Sequence, residues 1–205
     1  MEVMYARKLS NNYFKNKNMI GFFGETRDLS VLIKNLETPE MKPNKKVKVV
    51  IGKNIDFIKS LGLDESLLSA KISELSESNH KLIKLVGIVL AKPEVIVLNN
   101  FEVGLNDKTI TRLVRFLKTI NATFNIKIII ISKNTVMLNK INNDIVIMKN
   151  KIIKYQGEIM PAILQGMIDK PEIIKFIDLA KKKDKSIEYT LDDKDLLKAV
   201  FRSVE

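Results

Sequence analysis

Leu75-Ser76-Glu77-Ser78-Asn79, a run from His80 to Leu90, Lys92-Pro93-Glu94-Val95-Ile96-Val97-Leu98-Asn99-Asn100 and then Gly104-Leu105-Asn106 form the stretch that decides the fold. Ser76 ahead of Glu77 is a helix start, because a serine hydroxyl accepts a backbone N–H one turn on and a carboxylate suits the positive end of the helix. Leu82, Leu85, Val86, Val89 and Leu90 then recur on one helical face, and the helix must stop before Pro93. Val95 to Leu98 is an unbroken apolar run of strand length, closed by polar residues.

Outward from this stretch, strand and helix signals alternate. Downstream, a helix is predicted from about Lys108 to Phe124 on the stripe Ile110, Leu113, Val114, Leu117 and Ile120. Ile126 to Ser132 reads as a fully apolar strand inside a parallel sheet. Asp144 to Met148 and Ile152 to Tyr155, joined by Lys149-Asn150-Lys151, read as a hairpin. Upstream, Val3 to Lys8 and Met19 to Phe23 are expected strands, and Lys46 to Ile51 alternates charged and branched residues as an edge strand would. Asp28 to Leu36, Ile55 to Leu61 and Asp64 to Ile72 carry helical patterns. The order implies an α/β layered core with right-handed crossovers.

The central stretch resembles the signature, Walker B and D-loop segment of ABC-type ATPases. The family text is LSGGQ, an apolar strand ending in Asp-Glu, then a Gly-Leu-Asp turn. Leu75 and Ser76 match the start of the signature, while Glu77, Ser78 and Asn79 replace its remainder. Asn99, Asn100 and Asn106 stand where the family has its Mg²⁺-side aspartate, its general-base glutamate and its D-loop aspartate. Lys133 stands where the family's H-loop histidine follows the next strand. The resemblance continues through Asp144 to Met148 and ends at Gly157, with Asn150 in place of a usual glycine. It implies a P-loop NTPase-like fold of the ABC ATPase type, with shortened β- and helical subdomains.

The replaced residues matter on chemical grounds alone. One carboxylate after such a strand helps hold Mg²⁺ through its water shell, and a second accepts a proton from, or orients, the attacking water. An amide offers one neutral oxygen and no useful basicity. No catalytic residue is therefore expected to be intact.

The phosphate-loop candidate is Met19 to Ile33, with Gly21 and Gly24 in the turn and Thr26, Arg27 and Ser30 nearby. A phosphate-binding loop needs G-x-x-x-x-G-K-[ST], in which backbone N–H groups cradle phosphates, lysine reaches them and a hydroxyl meets Mg²⁺. After Gly24 there is no second glycine and no Gly-Lys-Ser. Glu25 and Asp28 place negative charge where phosphate would sit. No Q-loop glutamine occurs near Val47 to Asn54, and the signature has lost both glycines. Neither ATP nor Mg²⁺ is expected as a cofactor, and no metal site is expected.

Composition bounds the partners. The chain of 205 residues has no cysteine, which excludes a disulfide framework and a zinc–thiolate cluster. The N-terminus lacks the basic-then-apolar layout of a signal peptide, and the longest apolar runs are strand-sized, so no membrane span is expected. The formal charge of +11 invites a nucleic-acid reading, but no aromatic residues interleave with the lysine clusters to stack bases. A solvated basic surface is the preferred reading.

From Glu158 onward the segment changes character. Pro171 to Ala180 begins with a proline suited to a first helical turn, and Thr190-Leu191-Asp192-Asp193 opens a second helix with a capping-box-like start. This tail is similar to that of energy-coupling-factor and cobalt-type transporter ATPases, where two such helices build a dimerisation subdomain. The expected division is a core over residues 1–157 and a C-terminal helical subdomain over 158–205. The function read from the sequence is a catalytically inactive, binding or scaffolding subunit associated with an ABC or energy-coupling-factor transporter. Its partner would be a second copy, an ABC ATPase homologue or a transporter membrane subunit, and its place the cytoplasm, at the inner face of the membrane. The alternatives are an ATP-binding component completed by an active partner and a basic nucleic-acid-binding protein.

Overall fold

The computed structural model describes residues 2–6, 18–24, 27, 36–141, 144–183 and 187–202. Its organising element is a six-stranded sheet. In chain order the strands are β1 (Glu2–Ala6), β2 (Met19–Phe23), β3 (Val95–Asn99), β4 (Lys127–Ile131), β5 (Asp144–Lys149) and β6 (Ile152–Glu158). Their spatial order is β1-β3-β4-β2-β5-β6. The four inner strands are parallel, with Asn99 opposite Ile131, Gly21 opposite Ile130 and Phe22 opposite Val146. Both edge strands run antiparallel to their neighbours.

The helices are α1 (Val47–Ile51), α2 (Ile55–Leu61), α3 (Glu77–Leu90), α4 (Asp107–Phe124), α5 (Thr135–Ile141), α6 (Ile159–Leu164), α7 (Glu172–Lys181) and α8 (Asp193–Arg202), with short 3₁₀ turns at Glu65–Ser69 and Ile72–Glu74. Lys46 to Ile51 is a correction to the sequence reading. The segment is the helix α1, with Val47 and Ile51 fully buried one turn apart and Val49 between them 57% exposed, so its branched residues follow a helical spacing rather than a strand alternation. The helix read over Asp28 to Leu36 lies almost wholly outside the described residues.

The unbroken apolar strands follow from burial on both faces. On β3 and β4, Ile96, Leu98, Ile128 and Ile130 join the large cluster beneath the helices. Their neighbours Val95, Val97, Ile129 and Ile131 join a smaller cluster with Met4, Ile20 and Phe22 on the other face. The period-two swap between faces leaves no position for a polar residue until the strand ends. The β5–β6 hairpin closes with Asn150 and Lys151, both in left-handed backbone, as a two-residue turn between twisted strands requires.

The tail packs onto this core. Ile159, Ile163, Ile168, Ile174, Ile177, Ile187 and Leu191 are buried in the same cluster as α3 and α4. Asp178 ties the returning chain down: Lys170 Nζ lies 2.7 Å from Oδ2, the Tyr189 hydroxyl donates to Oδ1 at 2.7 Å, and the Lys181 ammonium lies 3.9 Å from the Tyr189 ring centroid. The hydrogen bonds from Lys170 and Tyr189 hold the Asp178 carboxyl below its ordinary range. Helix starts differ slightly from expectation. Pro171 caps α7 instead of opening it, and Asp192, not Thr190, caps α8 by accepting the Lys194 and Asp195 N–H groups at 2.8 and 3.2 Å.

Candidate functional site

In an open parallel sheet, ligands bind in the crevice beyond the carboxyl ends of the strands. Here those ends bring together Gly24 after β2, Asn99 and Asn100 at the end of β3, and Ser132 and Lys133 after β4. The backbone fastens them: the Asn100 N–H donates to the Ile131 carbonyl at 2.8 Å, and the Ser132 N–H donates to the Phe22 carbonyl at 3.2 Å. Gly24 sits close to its neighbours. A Cβ there would come within 2.7 Å of the Phe22 ring and 3.0 Å of the Met148 carbonyl oxygen.

Asn99 and Asn100 are half-buried, and the Asn100 amide donates to Asn99 Oδ1 at 3.2 Å. Asn100 has φ 46, a left-handed backbone that asparagine enters far more readily than most residues with a Cβ. The residue type and the backbone at this position therefore suit each other. Lys133 is exposed.

Two residues that the sequence reading did not single out form a buried polar pair beside these strand ends. Glu102 and Ser132 are buried, 7% and 1% exposed, and the Ser132 hydroxyl donates to Glu102 Oε1. Glu102 Oε2 is buried with no hydrogen-bond partner. Ser132 Oγ in turn accepts the Asn134 N–H at 2.9 Å, and Asn134 Oδ1 accepts the Met137 N–H at 3.0 Å to start α5. The only signal in the sequence was an acidic residue three places after an apolar strand. Nothing in the sequence tells whether such a residue turns outward or inward.

The start of α3 is built against the same loop. Ser76 caps α3 by accepting the Asn79 N–H at 3.3 Å, with Glu77 in the first turn. The Ser78 hydroxyl donates to the Gly104 carbonyl at 2.9 Å, and Lys81 Nζ donates to the Val103 carbonyl at 2.7 Å. Lys81 also lies 3.4 Å from Glu77. Leu75 packs half-buried on the core. Asn106 ends the loop as the cap of α4, accepting the Thr109 N–H at 2.9 Å. Asn106 and Ser76 thus serve their own helices, and the loop carbonyls are occupied from within the chain.

Of the phosphate-loop candidates, Gly21 and Gly24 lie on or just beyond β2, and Arg27 is an exposed helical residue. Thr26 and Ser30 lie outside the described residues.

No protein-family model matches the sequence, and no curated protein matches it. Solved structures match it well in shape. The ATP-binding subunit of an ABC transporter aligns over 88% of this chain and 100% of its own, with TM-score 0.58 and 11% identity. The protein cbiO1 from Clostridium perfringens, part of the ABC transporter complex cbiONQ, aligns over 86% and 94%, with TM-score 0.55 and 13% identity. A dimeric bacterial ABC transporter cassette aligns over 76% and 98%, with TM-score 0.55 and 10% identity. The fold is that of an ABC-type ATP-binding cassette.

That fold implies a magnesium nucleotide, and the described strand ends do not offer the carboxylates that would hold its Mg²⁺. Mg²⁺ keeps most of its waters and is held through one or two carboxylates. At this cassette's strand ends the side chains offered are two neutral amides already bonded to each other. The neighbouring carboxylate, Glu102, is committed to Ser132 on one oxygen and closed off from solvent on the other. Among the described residues no group of three or more His, Cys, Asp or Glu side chains could hold a metal ion, and no helix is long and apolar enough to cross a membrane.

Proposed function

We propose that this chain is a non-hydrolysing, protein-binding subunit with an ABC cassette fold, working beside a second copy, an active ATPase homologue or a transporter membrane subunit at the cytoplasmic face of a membrane. The observation that carries this is the strand-end crevice. Its two amides, Asn99 and Asn100, bond to each other, and Glu102 is turned inward onto Ser132. Phosphoryl transfer depends almost entirely on positioning and on stabilising charge, so neutral groups directed at one another leave little catalysis to recover. The left-handed backbone at Asn100 supports the same reading, since a glutamate there would cost about 1–2 kcal/mol in strain.

The test is nucleotide binding and turnover by the purified chain. A thermal-shift titration with ATP and Mg²⁺ is expected to be flat, where a ligand at about a hundred times its Kd would stabilise by about 2.7 kcal/mol. The double substitution Asn99→Asp, Asn100→Glu is expected to leave ATPase activity at background. Saturable stabilisation of the parent chain, or robust turnover by the double variant, would overturn the reading.

A further inference from the structure

A groove remote from the strand-end crevice has a charge pattern that the proposed function leaves unused. It lies between the segment ahead of α1, α1 itself and α3, and has a volume of about 310 Å³. Its apolar wall is the half-buried Met41 and Val50, over the buried Ile88; its rim carries Lys42, Lys45 and Lys84. None of the ion pairs among the described residues uses these three lysines. Glu40 is the one carboxylate on the rim.

A glycine inside a helix lines the groove. Gly87 lies in the last turn of α3, and glycine inside a helix costs about 0.5–1 kcal/mol relative to alanine. A Cβ at this position would meet Val50 Cγ1 at 3.0 Å, so the missing side chain lets α1 and α3 approach closely.

Resting on the reading of the chain as a protein-binding subunit, we infer that this groove docks an acidic amphipathic segment of a partner protein, with its apolar side chains on Met41 and Val50 and its carboxylates on the lysine rim. Two properties select this occupant. Apolar wall with a cationic rim is complementary to a helix that carries an apolar stripe between acidic residues, the helix-in-groove mode of recognition. The lysines would supply orientation and on-rate, and the wall would supply the anchor. A nucleic acid would use the lysines and leave the wall idle, and the groove's one aromatic residue, Tyr5, has its hydroxyl bonded to Glu37 at 2.6 Å.

Fluorescence anisotropy on the full chain tests this with two fluorescein-labelled helical peptides of about 12 residues, a common helix length. They share a leucine stripe, flanked by glutamates in one and lysines in the other. The acidic peptide is expected to bind saturably, at least about ten-fold tighter than the basic one, as electrostatic complementarity requires. The reversal Lys42→Glu, Lys45→Glu, Lys84→Glu is expected to abolish that preference. Met41→Ser, which leaves the charge alone, is expected to weaken binding several-fold. Circular dichroism confirms that both variants are folded. Equal affinity for both peptides, no binding, or indifference to Met41→Ser overturns the inference. So does an RNA duplex that binds the parent chain, is lost with the lysine reversal and ignores Met41→Ser, because the lysines would then belong to phosphates. Nucleotide titrations read a different site, so a failed peptide assay beside a flat ATP titration rejects the groove and leaves the non-hydrolysing reading standing.

Discussion

The two ends of this molecule treat side chains in opposite ways. At the carboxyl ends of the parallel strands, polar groups are drawn inward: Ser132 bonds Glu102, Asn100 bonds Asn99, and Ser78 and Lys81 fill the carbonyls of the following loop. Along the tail, large apolar groups point outward. Phe176 and Leu179 on α7 and Leu197 and Phe201 on α8 are between 48% and 72% exposed, although the opposite faces of these helices are packed on the core. Nucleotide-binding cassettes need polar groups free at the first place. Protein-binding subunits can use apolar groups free at the second. Under the proposed function, the crevice would be chemically quiet and the tail would be the contact surface.

The most drastic way to break this contrast is to remove the tail. Residues 159–202 contribute Ile159, Ile163, Ile174 and Ile177 to the main cluster, and each such side chain is worth about 1.5–3 kcal/mol when fully buried. Their sum reaches the whole stability of an ordinary domain, about 5–15 kcal/mol. The chain cut after Glu158 is therefore expected to lose its cooperative urea transition. If the cut chain unfolds cooperatively like the parent, the tail is an appendage and its exposed face loses its significance.

A smaller effect is expected in the crevice. Glu102→Gln keeps an acceptor for Ser132 while exchanging a carboxylate with a buried, unpartnered oxygen for a neutral amide. It is expected to raise the unfolding free energy by about 1–2 kcal/mol in urea titrations. A loss of stability on the same scale would show that Oε2 is engaged in solution, and the crevice would no longer count as quiet.

Weaker still is the expected effect of Leu197→Ser with Phe201→Ser, since surface changes on a helix usually stay within about 0.5 kcal/mol. Sedimentation of parent and variant sharpens the contrast. If the exposed face joins copies, the parent sediments as the larger species and the variant as a monomer with an unchanged fold.

The least of these effects is an acid limb from Asp178. Lys170 and Tyr189 lower its pKa in the folded chain, so its contribution is complete above the ordinary aspartate value of about 3.9 and fades as pH falls through the lower folded value. On the alkaline side, Asp178 raises the Lys170 and Tyr189 pKa values, so that part is lost as pH rises past them. Melting temperatures of the parent and Asp178→Asn are expected to converge below about pH 4. A constant gap across that window would remove Asp178 as the titrating group.

The sequence alone determined the layered α/β core, because a strand buried on both faces must be apolar throughout and the helices flanking it must carry one apolar face. Hence Val95 to Leu98 and Ile128 to Ile131 were legible as strands, and Ser76 and Pro93 as the limits of α3. It also determined what the crevice lacks, since Asn99 and Asn100 can supply no carboxylate wherever they point. Only the tertiary structure decided direction and company. Val47 and Ile51 became one face of a short helix because the core lay on that side, although their spacing in sequence also suited a strand. Glu102 was any acidic residue in a loop until the end of β4 brought Ser132 against it from thirty residues away. Periodicity records how often a chain meets the core, but a hydrogen bond between distant segments, or the close approach of two helices that Gly87 permits, exists only once both partners have been folded into place.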